Sequence, residues 1–303
     1  MAWKKLGRIY DPEKWVNVAK GGYGANPIAP KLDDSDGVRI FFNIRDERNN
    51  SHVTWLDYDI EKNEIKSFSG ERLISPGDRG TFDDCGCSLG SIVNLGKQLY
   101  IYYLGWNLPK NVPFLNRIGM AIYDVKSGRC EKVSPAPILG QCKADPYSIS
   151  YPFVLKEGDK YRMWYGSNIS WGNTTFDHYD FNYVIKYAEG KDGIYFKREN
   201  IISIEGDGIV DYAFARPSLV YEDGIYKMWY TYRGEKYRIG YAESEDGITF
   251  IRKDELIDIE PSGEGWDSEE VAYPYVFSHN GKHYMLYCGN AYGKTGFGIA
   301  VEQ

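Results

Sequence analysis

Apolar and aromatic positions along this chain fall into short runs, and the runs repeat. Five times an apolar segment ends at a turn and an aromatic-rich segment follows. The turns and second segments read Gly37-Val-Arg-Ile-Phe-Phe, Gly96-Lys-Gln-Leu-Tyr-Ile-Tyr-Tyr, Gly158-Asp-Lys-Tyr-Arg-Met-Trp-Tyr, Gly224-Ile-Tyr-Lys-Met-Trp-Tyr and Gly281-Lys-His-Tyr-Met-Leu-Tyr. The steps between these glycines are 59, 62, 66 and 57 residues. Short runs rich in β-branched and aromatic residues, bounded by Gly and Asp-Gly, predict strands. In the fourth copy Pro217-Ser-Leu-Val-Tyr-Glu is an inner strand, Tyr226-Lys-Met-Trp-Tyr-Thr-Tyr the second and Arg238-Ile-Gly-Tyr-Ala-Glu-Ser the third. After the Glu245-Asp-Gly turn, Thr249-Phe-Ile-Arg-Lys forms an outer edge.

Four strands per repeat predict an all-β chain folded as a five-bladed β-propeller, one domain over residues 1–303. The last copy stops after a third strand, Gly296-Phe-Gly-Ile-Ala-Val-Glu-Gln. Trp3-Lys-Lys-Leu-Gly-Arg-Ile-Tyr is expected to supply the fourth, closing the ring and covering a sheet edge. In this topology the residues before each inner strand share a rim with the loops after each second strand. The rim therefore gathers Asn26, Asp83, Asp84, Tyr151, Arg216 and Glu269 through Tyr273 with Arg45, Asp46, Trp106, Asn107, Asn168 through His178, Arg233 and Asn290 through Tyr292. Carboxylates, arginines, amides and aromatic faces are the groups a sugar site uses.

Composition narrows the choice. The chain carries 27 Tyr, 8 Trp and 13 Phe against 4 His, and a net charge of −7 argues against a nucleic-acid partner. A run of about 18 apolar residues, which a membrane span needs, is absent. The first residues lack a signal peptide's apolar segment, so a cytoplasmic location is expected. Five scattered cysteines (85, 87, 130, 142, 288) fit reduced thiols. Cys85-Gly-Cys87 has no matching Cys or His pair nearby, and no phosphate-cradling glycine loop occurs, so neither metal nor cofactor is expected.

Cleaving a glycosidic bond usually takes two carboxyl groups, and the candidates ahead of the inner strands are Asp83-Asp84, Asp145, Asp211 and Glu269-Glu270. Phe82-Asp83-Asp84 and Trp266-Asp267-Ser268 occupy equivalent places, which points to a structural task for Asp83 and Asp267. That leaves Glu269 or Glu270 as the expected general acid and Asp84 as base or charge stabiliser. Arg216, before Pro217, is expected at the channel mouth, where with Arg45 it would hold an anionic group or else neutralise Asp211. Asn26, Asp46, Trp106, Tyr151, Asp211 and Tyr273 complete the expected binding set, the two tyrosines either reaching ligand or plugging the channel. His178 lies in the longest insertion, Phe176-Asp-His-Tyr-Asp-Phe, an expected lid or substrate shelf.

With these repeats in hand, the chain resembles five-bladed glycoside hydrolases of the family 43, 32 and 130 type. The resemblance rests on the Met-Trp-Tyr runs of the third and fourth copies, on Trp266-Asp-Ser with Ala272-Tyr-Pro-Tyr-Val, and on Tyr292-Gly-Lys-Thr-Gly-Phe-Gly-Ile-Ala. It implies a glycosidase-like, carbohydrate-active enzyme acting on a small or anionic saccharide or sugar conjugate. Saccharides, sugar phosphates and nucleotide sugars are the implied partners. Where such enzymes present an Asp before the first inner-strand proline, this chain has Ala25-Asn26-Pro27, and an amide takes no proton. Their general-acid Glu would fall near Ala215 or Ala272, and the Arg-x-Glu-Asp-Pro-Arg stretch of the family 130 phosphorylases is absent. A non-catalytic sugar-binding propeller, or a glycoside phosphorylase or transferase, is therefore the alternative.

Overall fold

Antiparallel strands account for nearly all the regular structure. The structure, a computed structural model, describes residues 1–19, 21–32, 37–172, 181–207 and 210–303. One four-stranded sheet runs Ile149–Glu157, Lys160–Trp171, Phe181–Gly190, Phe196–Ile204, and another Tyr212–Glu222, Ile225–Arg233, Tyr237–Ser244, Ile251–Arg252. An eight-stranded sheet consists of two antiparallel halves, Gly22–Ile28 to Glu64–Phe68 and Gly86–Asn94 to Cys130–Lys132. A single parallel pairing, Ser51 opposite Gly86, joins the halves. In the remaining sheet, Trp3–Tyr10 lies against Phe297–Glu302, which continues to Lys282–Cys288 and Ala272–His279. Trp3 faces Glu302 and Tyr10 faces Phe297, so the two ends of the chain share a sheet.

The Met-Trp-Tyr runs show why these strands read as almost continuously apolar. Side chains alternate between the two faces of a strand, and here each face meets a different packing layer. Met163 and Tyr165 pack with Tyr102 and Ile118, while Trp164 between them packs with Tyr187 and Tyr226. Trp164 Nε1 donates to Gly247 O of the next sheet at 2.9 Å. One repeat on, Trp229 packs with Met285 and Tyr287 and meets the ring of Trp3 edge-on at 6.2 Å.

The tyrosine of each run has a second task. Tyr103 donates its hydroxyl to Asp83, Tyr165 to Asp145, Tyr230 to Asp254 and Tyr287 to Asp267. A cation from the outermost strand or its neighbour closes each clamp: Lys132 on Asp83, Arg198 and Lys186 on Asp145, Arg252 on Asp254, Lys5 on Asp267. Asp83 and Asp267 thus serve structure by gripping strands. Lys5, on the N-terminal strand, does for its sheet what Lys132 does for another. Lys5→Ala leaves the buried Asp267 with only the Tyr287 hydroxyl and the expected result is a loss of about 1–3 kcal/mol, read from urea denaturation. An unchanged midpoint would show that the clamp contributes nothing.

Each inner strand bulges at the same place. Register shifts fall between Ala25 and Ile28, Leu89 and Ser91, Ser150 and Phe153, Ala215 and Ser218, and Ala272 and Tyr275. Four of the bulged residues precede proline and have left-handed φ: Asn26 51°, Tyr151 37°, Arg216 57° and Tyr273 55°. A residue before proline is steered to extended backbone, and a non-glycine αL residue costs about 1–2 kcal/mol. Bulges of this kind re-aim side chains. These four converge: the rings of Tyr151 and Tyr273 lie 5.4 Å apart, and Arg216 donates to Pro27 O and Gly90 O.

The pattern of strands did not foretell the helix Pro12–Ala19. Its local signal is Asp11 followed by Pro12, a capping acid and a first-turn proline, and Asp11 accepts from Glu13 N at 3.1 Å. Among the described residues no helix is long and apolar enough to cross a membrane.

Candidate functional site

Where the inner strands begin, a cavity of about 360 Å³ opens between sheets. Its aromatic walls are Trp106, Phe114 and Phe181 together with Tyr151, Tyr183, Tyr237, Tyr273 and Tyr292. Arg45, Asn49 and Asn116 supply polar groups at its edge. Backbone placement explains the wall. Trp106 ends a second strand, Phe181 and Tyr237 open third strands, and the bulges turn Tyr151 and Tyr273 inward.

Trp106 is fixed by donating Nε1–H to Ser51 Oγ at 2.8 Å. The Arg45 guanidinium lies 5.6 Å from its ring and 4.9 Å from that of Tyr23, and donates to Asn49 Oδ1 at 2.9 Å. Four of the lining tyrosines, Tyr151, Tyr237, Tyr273 and Tyr292, form a connected cluster. Tyr237 and Tyr292 are 5.2 Å apart, and Tyr273 stacks on Tyr292 at 6.2 Å. Burial raises the phenols of Tyr151, Tyr237 and Tyr273, although Arg45, Arg216 and a hydrogen bond from Asn26 counteract this for Tyr151. At neutral pH all three hydroxyls keep their protons and can donate.

Of the residues expected from sequence, Arg45, Trp106, Tyr151 and Tyr273 line this cavity. Asn26 and Arg216 lie deeper, 3% and 0% exposed, against Tyr151. Arg216 therefore does not stand at an open mouth. Its neighbour is not Asp211, which pairs with Arg252 and accepts from Asp207 N at 2.9 Å. Asp46 shapes a turn, accepting from Arg48 N at 3.0 Å, Asn50 N at 2.9 Å and His52 Nε2 at 3.0 Å. Burial raises its carboxyl, but these bonds outweigh that and hold it below its ordinary value.

Asp84 accepts from Gly80 N at 2.9 Å through one oxygen, and its other oxygen is buried without a partner among the described residues. Glu269 is exposed and pairs with Lys236 at 2.8 Å. Glu270 accepts from Ala291 N at 2.8 Å, holding a turn whose next residue, Tyr292, has φ 60° and lines the cavity. His178 lies outside the described residues. No Asp or Glu belongs to the described lining. Among the described residues no three or more His, Cys, Asp or Glu gather as a metal site.

Sequence reasoning missed Phe114, Asn116, Phe181 and Tyr237. They open or immediately precede third strands, and a third strand starts on the rim where the second ends. Applying that step to the repeat would have found them.

No protein-family model matches the chain. Two uncharacterized proteins of Mycobacterium tuberculosis, MT1551 and Rv1502, are 42% identical to it over 99% of each chain. Among solved structures, one described as a glycoside hydrolase superposes with a TM-score of 0.67 at 18% identity, covering 95% of this chain and 93% of that one. A thermostable family-43 glycoside hydrolase gives 0.64 at 14% identity, with 92% and 87% covered. The Bombyx mori GH32 β-fructofuranosidase BmSUC1 gives 0.65 at 14% identity, 93% of this chain matching 60% of that longer one. The all-β fold is that of propeller glycoside hydrolases.

Proposed function

This chain belongs to one family with the two mycobacterial proteins, and from that footing and its glycoside-hydrolase-type fold we propose that it binds a saccharide in the aromatic cavity. The observation that carries this reading is the cavity's aromatic walls, an indole and two phenyl rings together with five phenols. Such walls stack on the apolar faces of a sugar ring while the phenol hydroxyls meet its oxygens. The sheets are read as five blades around an axis in one domain, the eight-stranded sheet counting as two and the N-terminal strand completing the last. The five cysteines are free thiols, a state that a reducing cytoplasm maintains.

The described lining holds no carboxylate, which favours recognition over two-carboxylate hydrolysis. Glycosidase-like turnover is the second reading, and the support for it is the nearness of Glu270 to Tyr292 through Ala291 and the buried, unpartnered oxygen of Asp84. Thermal-shift screening against a saccharide panel tests both. A ligand at a hundredfold over its dissociation constant adds about 2.7 kcal/mol of stability. Binding without product, lost in Trp106→Ala, is the expected result. In Glu270→Gln, weakened binding without any lost turnover would assign Glu270 to placing Tyr292. Product formed by wild type and abolished in Glu270→Gln or Asp84→Asn would establish the enzyme instead. No stabilisation by any saccharide would sink the proposal.

A further inference from the structure

Arg45 lines this cavity and Arg216 and Arg233 lie next to its tyrosines, none of the three with a carboxylate partner among the described residues. Arg216 is 0% exposed, and no carboxylate lies within 4.0 Å of it among the described residues. It donates to two backbone carbonyls, Gly90 O and Pro27 O at 3.4 Å, and its Nε has no partner. The groups that face it are the Cys288 thiol and the phenols of Tyr151, Tyr275 and Tyr273. Burial pushes Arg216 down to about 10, so it is still a cation at neutral pH.

Arg45, on the cavity edge, has only the neutral Asn49 side chain as a hydrogen-bond partner among the described residues. The acid next to it in sequence, Asp46, is taken up by His52 and its own turn. Arg233 lies 5.0 Å from the Tyr237 ring, with its Nε unpartnered and no described carboxylate within reach. A buried cation lacking a counter-ion is costly, and its field is felt most strongly where water is excluded. Both Arg45 and Arg216 act on the Tyr151 hydroxyl.

We propose that the cavity takes a saccharide bearing an anionic oxygen group (carboxylate, phosphate or sulfate) that seats against Arg45 and the Tyr151 hydroxyl, with Arg216 supplying the charge beneath. This rests on reading the cavity as a saccharide site. The group completes what the fold leaves open, since its oxygens accept from guanidinium and phenol donors alike and charge-assisted bonds are the stronger kind. Arg45 makes the contact; Arg216 positions and polarises Tyr151.

The test is calorimetric titration of wild type and Arg45→Gln with matched probes: glucose, glucuronate, glucose 6-phosphate, glucose 6-sulfate, and inorganic phosphate and sulfate alone. Circular dichroism verifies that the variant is folded. The expected result is that one charged sugar binds wild type at least about tenfold tighter than glucose, a preference of about 1.4 kcal/mol. That preference should vanish in Arg45→Gln and shrink with added salt, and the probe showing it identifies the acid group. Equal affinity for glucose and its charged forms overturns the inference and leaves the saccharide cavity standing. Inorganic anion bound by wild type alone, with no sugar bound, keeps the anion subsite and removes the saccharide reading. Failure of every probe overturns both.

Discussion

Asp145→Ala is expected to cost about 3–5 kcal/mol of folding stability, because it strands buried charge. Asp145 is 0% exposed and fully engaged. It accepts from the Ser167 hydroxyl at 2.7 Å, the Tyr165 hydroxyl at 3.0 Å, Arg198 at 2.9 Å and Lys186 at 3.2 Å. Lys186, 3% exposed, has Ala144 O as its one other described hydrogen-bond acceptor. Removing the acid leaves two cations facing each other with little water to screen them. Chemical denaturation of Asp145→Ala and Asp145→Asn measures the effect. The amide keeps the size and some hydrogen bonds, so it should recover part of the loss but not the charge. If both variants unfold at the wild-type midpoint, the clamps are incidental to stability.

Arg216→Met is expected to do the opposite. Substituting apolar bulk for a buried ion is often neutral or stabilising by about 1–4 kcal/mol, and here no paired acid is left behind. The two carbonyls that lose a donor offset some of that gain, about 1 kcal/mol each. Denaturation should therefore show an unchanged or raised midpoint. Affinity for the anionic saccharide should fall by about tenfold or more, since the charge beneath Tyr151 is gone. A loss of several kcal/mol would mean that the guanidinium is paired and structural. Two residues of equal burial thus have opposite expected effects, decided by whether a counter-charge is present.

How far the sequence could be read follows from the same distinction. The strand pattern, the turns and the sheet partner of Trp3–Tyr10 were legible because they depend on local periodicity and on a repeat that shows its own gap. Arg45, Trp106, Tyr151 and Tyr273 were legible because strand direction alone brings them to one rim. A structural task for Asp83 and Asp267 was legible from their equivalent places, but their partners, and the tasks of Asp84, Glu269 and Glu270, were not, since a sequence displays a carboxylate without its partners. Lys132 reaches Asp83 across 49 positions, and Lys5 reaches Asp267 across 262. The bulges were also hidden, because proline normally steers the preceding residue away from the conformation that Asn26, Tyr151, Arg216 and Tyr273 adopt.

The pairing of Trp3–Tyr10 with Phe297–Glu302 sets a schedule for the newborn chain. At about 5–20 residues per second, a ribosome needs on the order of 15–60 s between making the first strand and making its partner. Throughout that interval Trp3, Ile9 and Tyr10 have no sheet to join, and the Trp229 face that Trp3 covers stays open. Earlier repeats can pair as they emerge, because their strands are neighbours in sequence. The last sheet forms only once Phe297–Glu302 has been made, when one long loop closes in a late step. During that wait, a chaperone that shields the N-terminal strand would protect the protein from aggregation.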